Sequence, residues 1–485
     1  MPGDPSLALF AHVPTASTVD LDHNFTNCAT LLKTVSNYTP YVTDAGAVNA
    51  YLCTFTGGTV FTLVEGVGLV FKAANANTGA SNLNVNGTGT KAIKNINGTD
   101  LSSGQIPLNG VVHVVYDGTN YILQSSATGS GASAATPYKN AIMNGVFQVW
   151  QRGAVLSSVA DNTVTADRWR YRKVGTMVHD ISRSTDVPTV AQAGRLFQYS
   201  MLIDCTTADA AIVATDYAYI RQVIEGYSWV PFAQRACIIS FWVKATKIGI
   251  YCVGLSNLGG DRCFVGEYQV NVSDTWEYKS VTIVASPSAG TWDYTNDVGL
   301  YVYFPLAAGS SLQTSAGAWQ VTASAAFATS NQVNACDSNA NNFRLCGVMF
   351  EAGLTAHEVE PVQLSDEIAR CQRYFETSFV NMVQPQSNSG IGGATMGVQT
   401  VGAVTGQGLG LYQRYNVQKR TNAPVVTFYN PSAANSNIRN TSVLADCTTG
   451  ALVTNNIAWY VSLTTSAGSG VGNAMAVHWT SDAEL

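Results

Sequence analysis

Charge is what this sequence has least of. Asp, Glu, Lys and Arg together make up 12% of its 485 residues, about half the usual share of roughly 25%. Hydrophobic residues stand at 46%, so the chain lacks the low-hydrophobicity, high-charge balance of a disordered protein. No basic run exceeds Arg168-Trp169-Arg170-Tyr171-Arg172, and the net charge is −6. Nucleic acid is therefore not an expected partner, because phosphate neutralisation needs a basic face; a polybasic membrane patch is equally missing. The ten cysteines, Cys28 to Cys447, include no C-x-x-C pair and are too sparse for a disulfide scaffold, so they read as buried reduced thiols. The first basic residue is Lys33, which leaves the apolar stretch Ser6–Ala11 without the positive flank of a secretory signal. No apolar run approaches the roughly 18 residues of a membrane helix. The expectation is assembly in a cytoplasm. No repeat of fixed period is present, which removes support for a solenoid such as a parallel β-helix.

In place of charge the chain has Thr, Ser, Asn and Gly, residues of strands and turns. A β-rich surface with little charge is prone to recruit other chains at its strand edges, and suits a chain covered by copies of itself. The length implies two to four domains. Residues 1–25 read as an extended arm that docks onto something else. Residues 26–128 read as a β module. Leu83 and Val85 alternate with Asn82, Asn84 and Asn86, turns are expected at Glu65-Gly66 and Asp117-Gly118, and the latter is a hairpin signal. Residues 129–137, GSGASAATP, form a linker. Residues 138–362 carry evenly spaced strand candidates, from Phe147–Gln151 and Arg195–Ile203 through Ala236–Ala245 to Phe343–Glu351, the pattern of a sandwich or jelly roll. Residues 363–378 hold one helix over Ser365–Thr377, with Ser365 as N-cap and Ile368, Cys371, Tyr374 and Phe375 on one stripe. Residues 379–485 form a β tip, with strands expected at Pro424–Tyr429 and Ile457–Leu463.

Three stretches resemble the tail fibres and receptor-binding proteins of tailed bacteriophages. The first joins LVFKAANANTGASNLNVNG (69–87) to VVYDGTNYILQ (114–124). The second is an ordered series: NAIMNGVFQVWQRG (140–153), TADRWR (165–170), RQVIEG (221–226), SFWVKA (240–245), GVMFEAG (347–353), EPV (360–362) and EIARCQRYFE (367–376). The third is KRTNAPVVTFYNP (419–431) with AVHWTSDAEL (476–485). The resemblance implies an all-β, elongated fibre of sandwich and jelly-roll units built as a parallel homotrimer. It also implies a carbohydrate-binding-type domain at 138–362, and attachment of the virion to host surface polysaccharide. The arm lies outside the resemblance; a tail or collar protein is its expected partner, and the virion tail the expected location. Multivalent display would turn weak single sites into firm attachment. Two other readings stay open, a head or collar fibre without a receptor role and a trimeric glycan depolymerase.

Individual motifs admit two readings each. Trp150 and Arg152 suit a sugar; they equally suit a strand opening the sandwich, with Phe147, Val149 and Gln151 on one face. Asp167, Arg168, Trp169 and Arg170 suit either a fork onto a sugar or an ion pair beside a core tryptophan. Glu225 invites a general-acid reading, but glycosidases need two carboxyls at a set separation, and a salt bridge to Arg221 is the plainer expectation. Histidines are dispersed, so a metal site within one chain is not expected; His478 on a threefold axis is the one exception considered. No phosphate-cradling loop or nucleophile elbow appears, and neither a cofactor nor catalysis is expected. In the tip, Tyr412, Tyr415, Tyr429, Trp459, Tyr460 and Trp479 suit recognition or a trimer core equally. The candidate glycan-binding residues are thus Trp150, Arg152, Tyr412, Tyr415, Trp459 and Trp479.

Overall fold

The computed structural model describes residues 41–55, 63–124, 140–399 and 408–485. The arm 1–25, the linker 129–137 and the first apolar run before the Glu65-Gly66 turn, through residue 62, lie outside the described residues. The chain is nearly all β and divides into two compact units, Met1–Thr136 and Pro137–Leu485.

The first unit holds one seven-stranded sheet. Its strands are β1 (Tyr41–Thr43), β2 (Ala50–Cys53), β3 (Gly68–Lys72), β4 (Ser81–Val85), β5 (Lys91–Lys94), β6 (Val111–Tyr116) and β7 (Tyr121–Leu123), in the order β1-β3-β6-β7-β5-β4-β2. The alternation seen in the sequence is realised: in β4, Ser81, Leu83 and Val85 are buried while Asn82 is exposed. β6 and β7 form the hairpin at Asp117-Gly118, where the Asp117 carboxylate accepts from the amides of Thr119 and Asn120. Tyr51, Leu69, Phe71, Leu83, Ile93, Val114 and Tyr121 fill the core.

The second unit begins with an antiparallel two-sheet sandwich. Its elements are β8 (Val155–Leu156), β9 (Thr163–Val164), β10 (Trp169–Val174), β11 (Val178–Ser184), helix α1 (Val190–Ala193), β12 (Ser200–Thr207), β13 (Tyr217–Glu225), helix α2 (Gly226–Trp229), β14 (Cys237–Ala245), β15 (Gly249–Ser256), β16 (Arg262–Val270), β17 (Glu277–Ile283), β18 (Val298–Ala308), β19 (Trp319–Val321) and β20 (Asn342–Ala352). One sheet runs β19-β16-β15-β18-β13-β10-β9 and the other β17-β14-β20-β12-β11-β8. Between them lies the largest core, with Trp169, Tyr171, Ile220, Phe304 and Val302 from the first sheet facing Ile181, Ile203, Phe241, Phe343 and Phe350 from the second. β14 is buried along nearly all its length, so its sequence CIISFWVKA is apolar on both faces and does not alternate cleanly. The expected strand at 147–151 does not form. Phe147 takes a positive φ of 56°, and both Phe147 and Trp150 are buried, so the segment is an irregular plug and its side chains do not alternate.

Helix α3 (Leu364–Gln372) follows. It starts one residue before the expected N-cap and ends earlier than expected, because Phe375–Thr377 joins a sheet as β21. The remaining strands are β22 (Thr395–Val398), β23 (Gly408–Arg414), β24 (Val425–Tyr429), β25 (Ile438–Asn440), β26 (Ala445–Thr454), β27 (Ala458–Thr464) and β28 (Ala474–Asp482). β28 is the hub, pairing with β21, β22, β24 and β25. Most of the stripe of α3 packs inside the chain: Cys371 and Tyr374 are fully buried, Phe375 nearly so and Ile368 half-buried. The nine described cysteines are all buried and unbridged. Burial raises their thiols where a shift is resolved, Cys53 and Cys237 to about 12. Among the described residues no helix is long and apolar enough to cross a membrane.

Candidate functional site

Most of the residues marked out by sequence belong to the joint between the sandwich and the C-terminal sheet. Trp150 is fully buried, and its indole Nε1 donates to the Phe147 carbonyl at 2.8 Å. Arg152 stacks 3.6 Å over the Phe375 ring and faces Asp482 at 3.1 Å, Glu484 at 3.5 Å and Asp167 at 3.7 Å. Asp167 is itself buried and accepts from the Gln151 amide and side chain, both at 2.7 Å; burial pushes its carboxyl above the ordinary value, against the pull of Arg152. Arg168 lies 3.4 Å over Tyr374, pairs with Glu484 and donates to the Val223 carbonyl at 2.7 Å. Glu225 pairs with Arg373 rather than Arg221, through two bonds of 2.6 and 3.0 Å, and also accepts from the Tyr374 hydroxyl. Lys419 and Glu376 form a pair with almost no exposed surface. Breaking a buried pair of this kind costs about 3–5 kcal/mol. The charged and aromatic residues cited from 150–153, 165–170, 221–226 and 367–376 thus serve this joint.

This burial also withdraws most of the expected glycan residues. Tyr415, Trp459 and Trp479 sit in the core of the C-terminal sheet, exposed by 5%, 1% and 3%, and with Trp150 they offer no free ring face, while the Arg152 guanidinium is taken up by Phe375 and three carboxylates. Tyr412 alone is open, at 63%. His478 has both ring nitrogens engaged, Nδ1 with the Ser378 hydroxyl at 3.0 Å and Nε2 with the Gly390 carbonyl at 2.9 Å. It stacks on Phe379 and is not presented as an axial ligand. Glu351 is buried against His357 at 2.7 Å, while Glu358 and Glu360 line a shallow concavity with Arg195.

A different surface gathers the chemistry of recognition. On the outer face of the sheet β19-β16-β15-β18-β13-β10-β9, period-2 geometry sets Tyr217, Tyr219 and Arg221 on one side of β13, with Ala218, Ile220 and Gln222 turned inward. In the neighbouring β18, Tyr301 and Tyr303 take the same side; Arg221 lies opposite Tyr303, and Val223 opposite Tyr301. β10 contributes Arg170, opposite Arg221, and Arg172, opposite Tyr219. The rings form a continuous layer. Tyr217 stacks on Tyr219 at 5.1 Å and 16°, Tyr219 meets Tyr303 edge-on at 5.1 Å, and Tyr301 lies 5.8 Å from Tyr303. Phe327 packs on Tyr303, Tyr219 and Tyr217 at 5.2, 4.9 and 6.0 Å, and with it Tyr219 and Tyr303 are buried, leaving Tyr217 and Tyr301 as the rings with exposed surface. It can lie flat because residue 254 is glycine: a Cβ there would stand 2.5 Å from Phe327 Cβ.

Tyr217, Tyr301, Arg221, Arg170 and Arg172 remain half-buried and reachable. Their charges are unequally answered. Arg172 Nε donates to Asp161 at 2.9 Å, with the Tyr217 hydroxyl at 3.3 Å from its Nη2. Arg170 donates to Asn162 at 3.1 Å and to the Leu485 carbonyl at 3.2 Å; burial, with the nearby Arg221 adding to it against the attraction of Glu484, holds its guanidinium below the ordinary value. Arg221 makes no hydrogen bond or ion pair among the described residues, and its Nε is buried without a partner. Its guanidinium lies 4.5 Å over Tyr301. Burial raises the Tyr219 phenol, with Arg221 and Arg172 pulling it back. The sequence carries a local signal for this face, since Y-A-Y-I-R (217–221) and Y-V-Y (301–303) each alternate. Only the pairing of two strands some eighty residues apart joins them.

No family model matches the chain, and no curated protein matches it in sequence. Solved structures with which it shares similarity include three carbohydrate-binding modules. One is a family 11 module from Clostridium thermocellum in complex with a β-1,3-1,4-mixed-linked tetrasaccharide, at 11% identity, covering 41% of this chain and 98% of that one, with a TM-score of 0.22. Another is a family 22 module from Clostridium thermocellum, at 13% identity, covering 41% and 97%, with a TM-score of 0.23. The third, TmCBM61 with β-1,4-galactotriose, is 8% identical, covers 41% and 99%, and has a TM-score of 0.21. Likeness at this level says nothing of what this chain binds.

Proposed function

We propose that this chain is a non-catalytic attachment protein that binds glycans on the tyrosine–arginine face of its sandwich, and that it does so as a homotrimeric tail fibre of a tailed bacteriophage. The observation carrying the glycan reading is the pair of half-buried rings, Tyr217 and Tyr301, backed by the buried Tyr219 and Tyr303 and lying beside a guanidinium with no hydrogen bond or ion pair among the described residues. A sugar ring stacks its C–H face on a phenol, while a guanidinium donates to its hydroxyls, so flat rings next to free donors form a preorganised glycan surface. Attachment without cleavage is the reading kept, since the carboxylate of Glu225, weighed above as a general acid, is occupied by Arg373 and Tyr374.

The fibre and virion reading rests on the ordered motif series. The trimer reading has a second support: Tyr412, Tyr460 and Val453 form a row across β23, β27 and β26, exposed by 63%, 42% and 61%, an apolar strip that a neighbouring copy would cover. Residues 1–25 would hold the fibre to a tail or collar protein. The test of binding is a glycan array probed with the full chain and with Tyr217→Ala/Tyr301→Ala. Retention by the unaltered chain that falls at least tenfold in the double variant, with unchanged melting, is expected; equal retention by both would refute the site. Sedimentation checks assembly: a species of three times 51.4 kDa is expected, and a stable monomer would refute the trimer.

A further inference from the structure

We infer that the glycan recognised on this face carries a carboxylate, and that Arg221, supported by Arg170, is its seat. The inference rests on the glycan reading above and narrows it to acidic sugars. Arg170 and Arg221 stand directly opposite one another on adjacent strands, an arrangement in which like charges repel and destabilise the sheet. Two of the three arginines on the face are occupied from within the chain: Arg172 by Asp161, and Arg170 by oxygens of Asn162 and Leu485. Arg221 is not. Its Nε has lost water without gaining a protein acceptor, and its neighbour is the flat of the Tyr301 ring at 4.5 Å. The ring holds the guanidinium plane steady. A planar fork, held in place and lacking an anion, fits the two oxygens of a carboxylate. A neutral sugar would leave that charge unanswered. Tyr217 and Tyr301, the half-buried rings of the layer, supply stacking for the pyranose ring that bears the acid, and Arg170 adds a second positive charge beside it.

The experiment measures retention of the full chain by polygalacturonate, alginate and hyaluronan, each beside its carboxyl-reduced form, with Arg221→Gln and Arg221→Lys as variants. The expected result is binding of at least one acidic polymer that weakens tenfold or more on carboxyl reduction, on raising salt, and in Arg221→Gln. Arg221→Lys keeps the charge but not the fork, and falls between. Should Arg221→Gln fail to fold, the matched polymers still decide with the unaltered chain. Equal retention of acidic and reduced polymers, lost in Tyr217→Ala/Tyr301→Ala, would overturn the acidic class and leave the glycan site standing. Retention of none of these polymers, alongside neutral-glycan binding on the array, would also overturn it. Silence on both would take down the two readings together.

Discussion

The joint between sandwich and C-terminal sheet and the outer face of the seven-stranded sheet are made of the same side chains, arginines lying on aromatic rings. They differ in how charge is answered. At the joint, Arg152, Arg168 and Arg373 each meet a carboxylate, and the rings beneath them, Phe375 and Tyr374, are buried. On the face, Arg221 lies over Tyr301 with no carboxylate near enough to pair. An arginine–aromatic cluster therefore declares nothing by composition. A satisfied one is a fastening; one left open is an invitation to an anion.

Substitutions at the two places should separate them sharply. The largest effect is expected from Lys419→Met, which strands the buried Glu376 carboxylate without its cation. A loss of about 3–5 kcal/mol is expected in a denaturant melt. Arg221→Met is the counterpart on the face. It removes an unpaired charge opposite Arg170, so stability should change by less than about 0.5 kcal/mol or rise; a loss comparable to that at Lys419 would erase the distinction.

Acid gives the next largest effect, and it acts on the core that both regions share. His179 is buried with Nδ1 bonded to the Tyr171 hydroxyl at 2.6 Å, and burial lowers its pKa to about 4, with Lys173 adding to the shift. Because the folded pKa lies below the unfolded one, the unfolded chain takes up the proton first. Stability is unaffected by this group above about pH 6.5 and falls as pH drops toward 4, by about 3 kcal/mol in all. His179→Gln should flatten the pH dependence of the melting temperature in that window; an unchanged slope would assign the acid sensitivity elsewhere. The smallest effect belongs to the exposed row. Tyr412→Ser should leave the fold of the single chain within about 0.5 kcal/mol while weakening association, read as a concentration-dependent shift in sedimentation.

The fold was largely legible because strand periodicity is local. β14, β20, β24 and β27 fall within a residue of their expected bounds, and Asp117-Gly118 turns as its dipeptide requires. The segment 147–151 departs from its expected strand because a positive φ at Phe147 breaks the alternation, and no residue type announces that. The site was poorly legible for a different reason. Trp150, Trp459 and Trp479 have the right chemistry for sugars, but the same area and polar handle suit a core, and only burial decides between the two. Arg221 was assigned to Glu225, four residues away in the sequence. Along one strand an even separation puts both on the same side, but the carboxylate is taken by Arg373 from α3's C-terminal end, a contact across 148 residues. That exchange of partners is what frees Arg221, and no spacing rule reveals it.

A crystal structure of the chain soaked with an acidic oligosaccharide tests the central claim most directly. A sugar ring stacked on Tyr217 or Tyr301, with its carboxylate in the Arg221 fork, is the expected result. A sugar seated elsewhere, with the tyrosine layer bare, would contradict it.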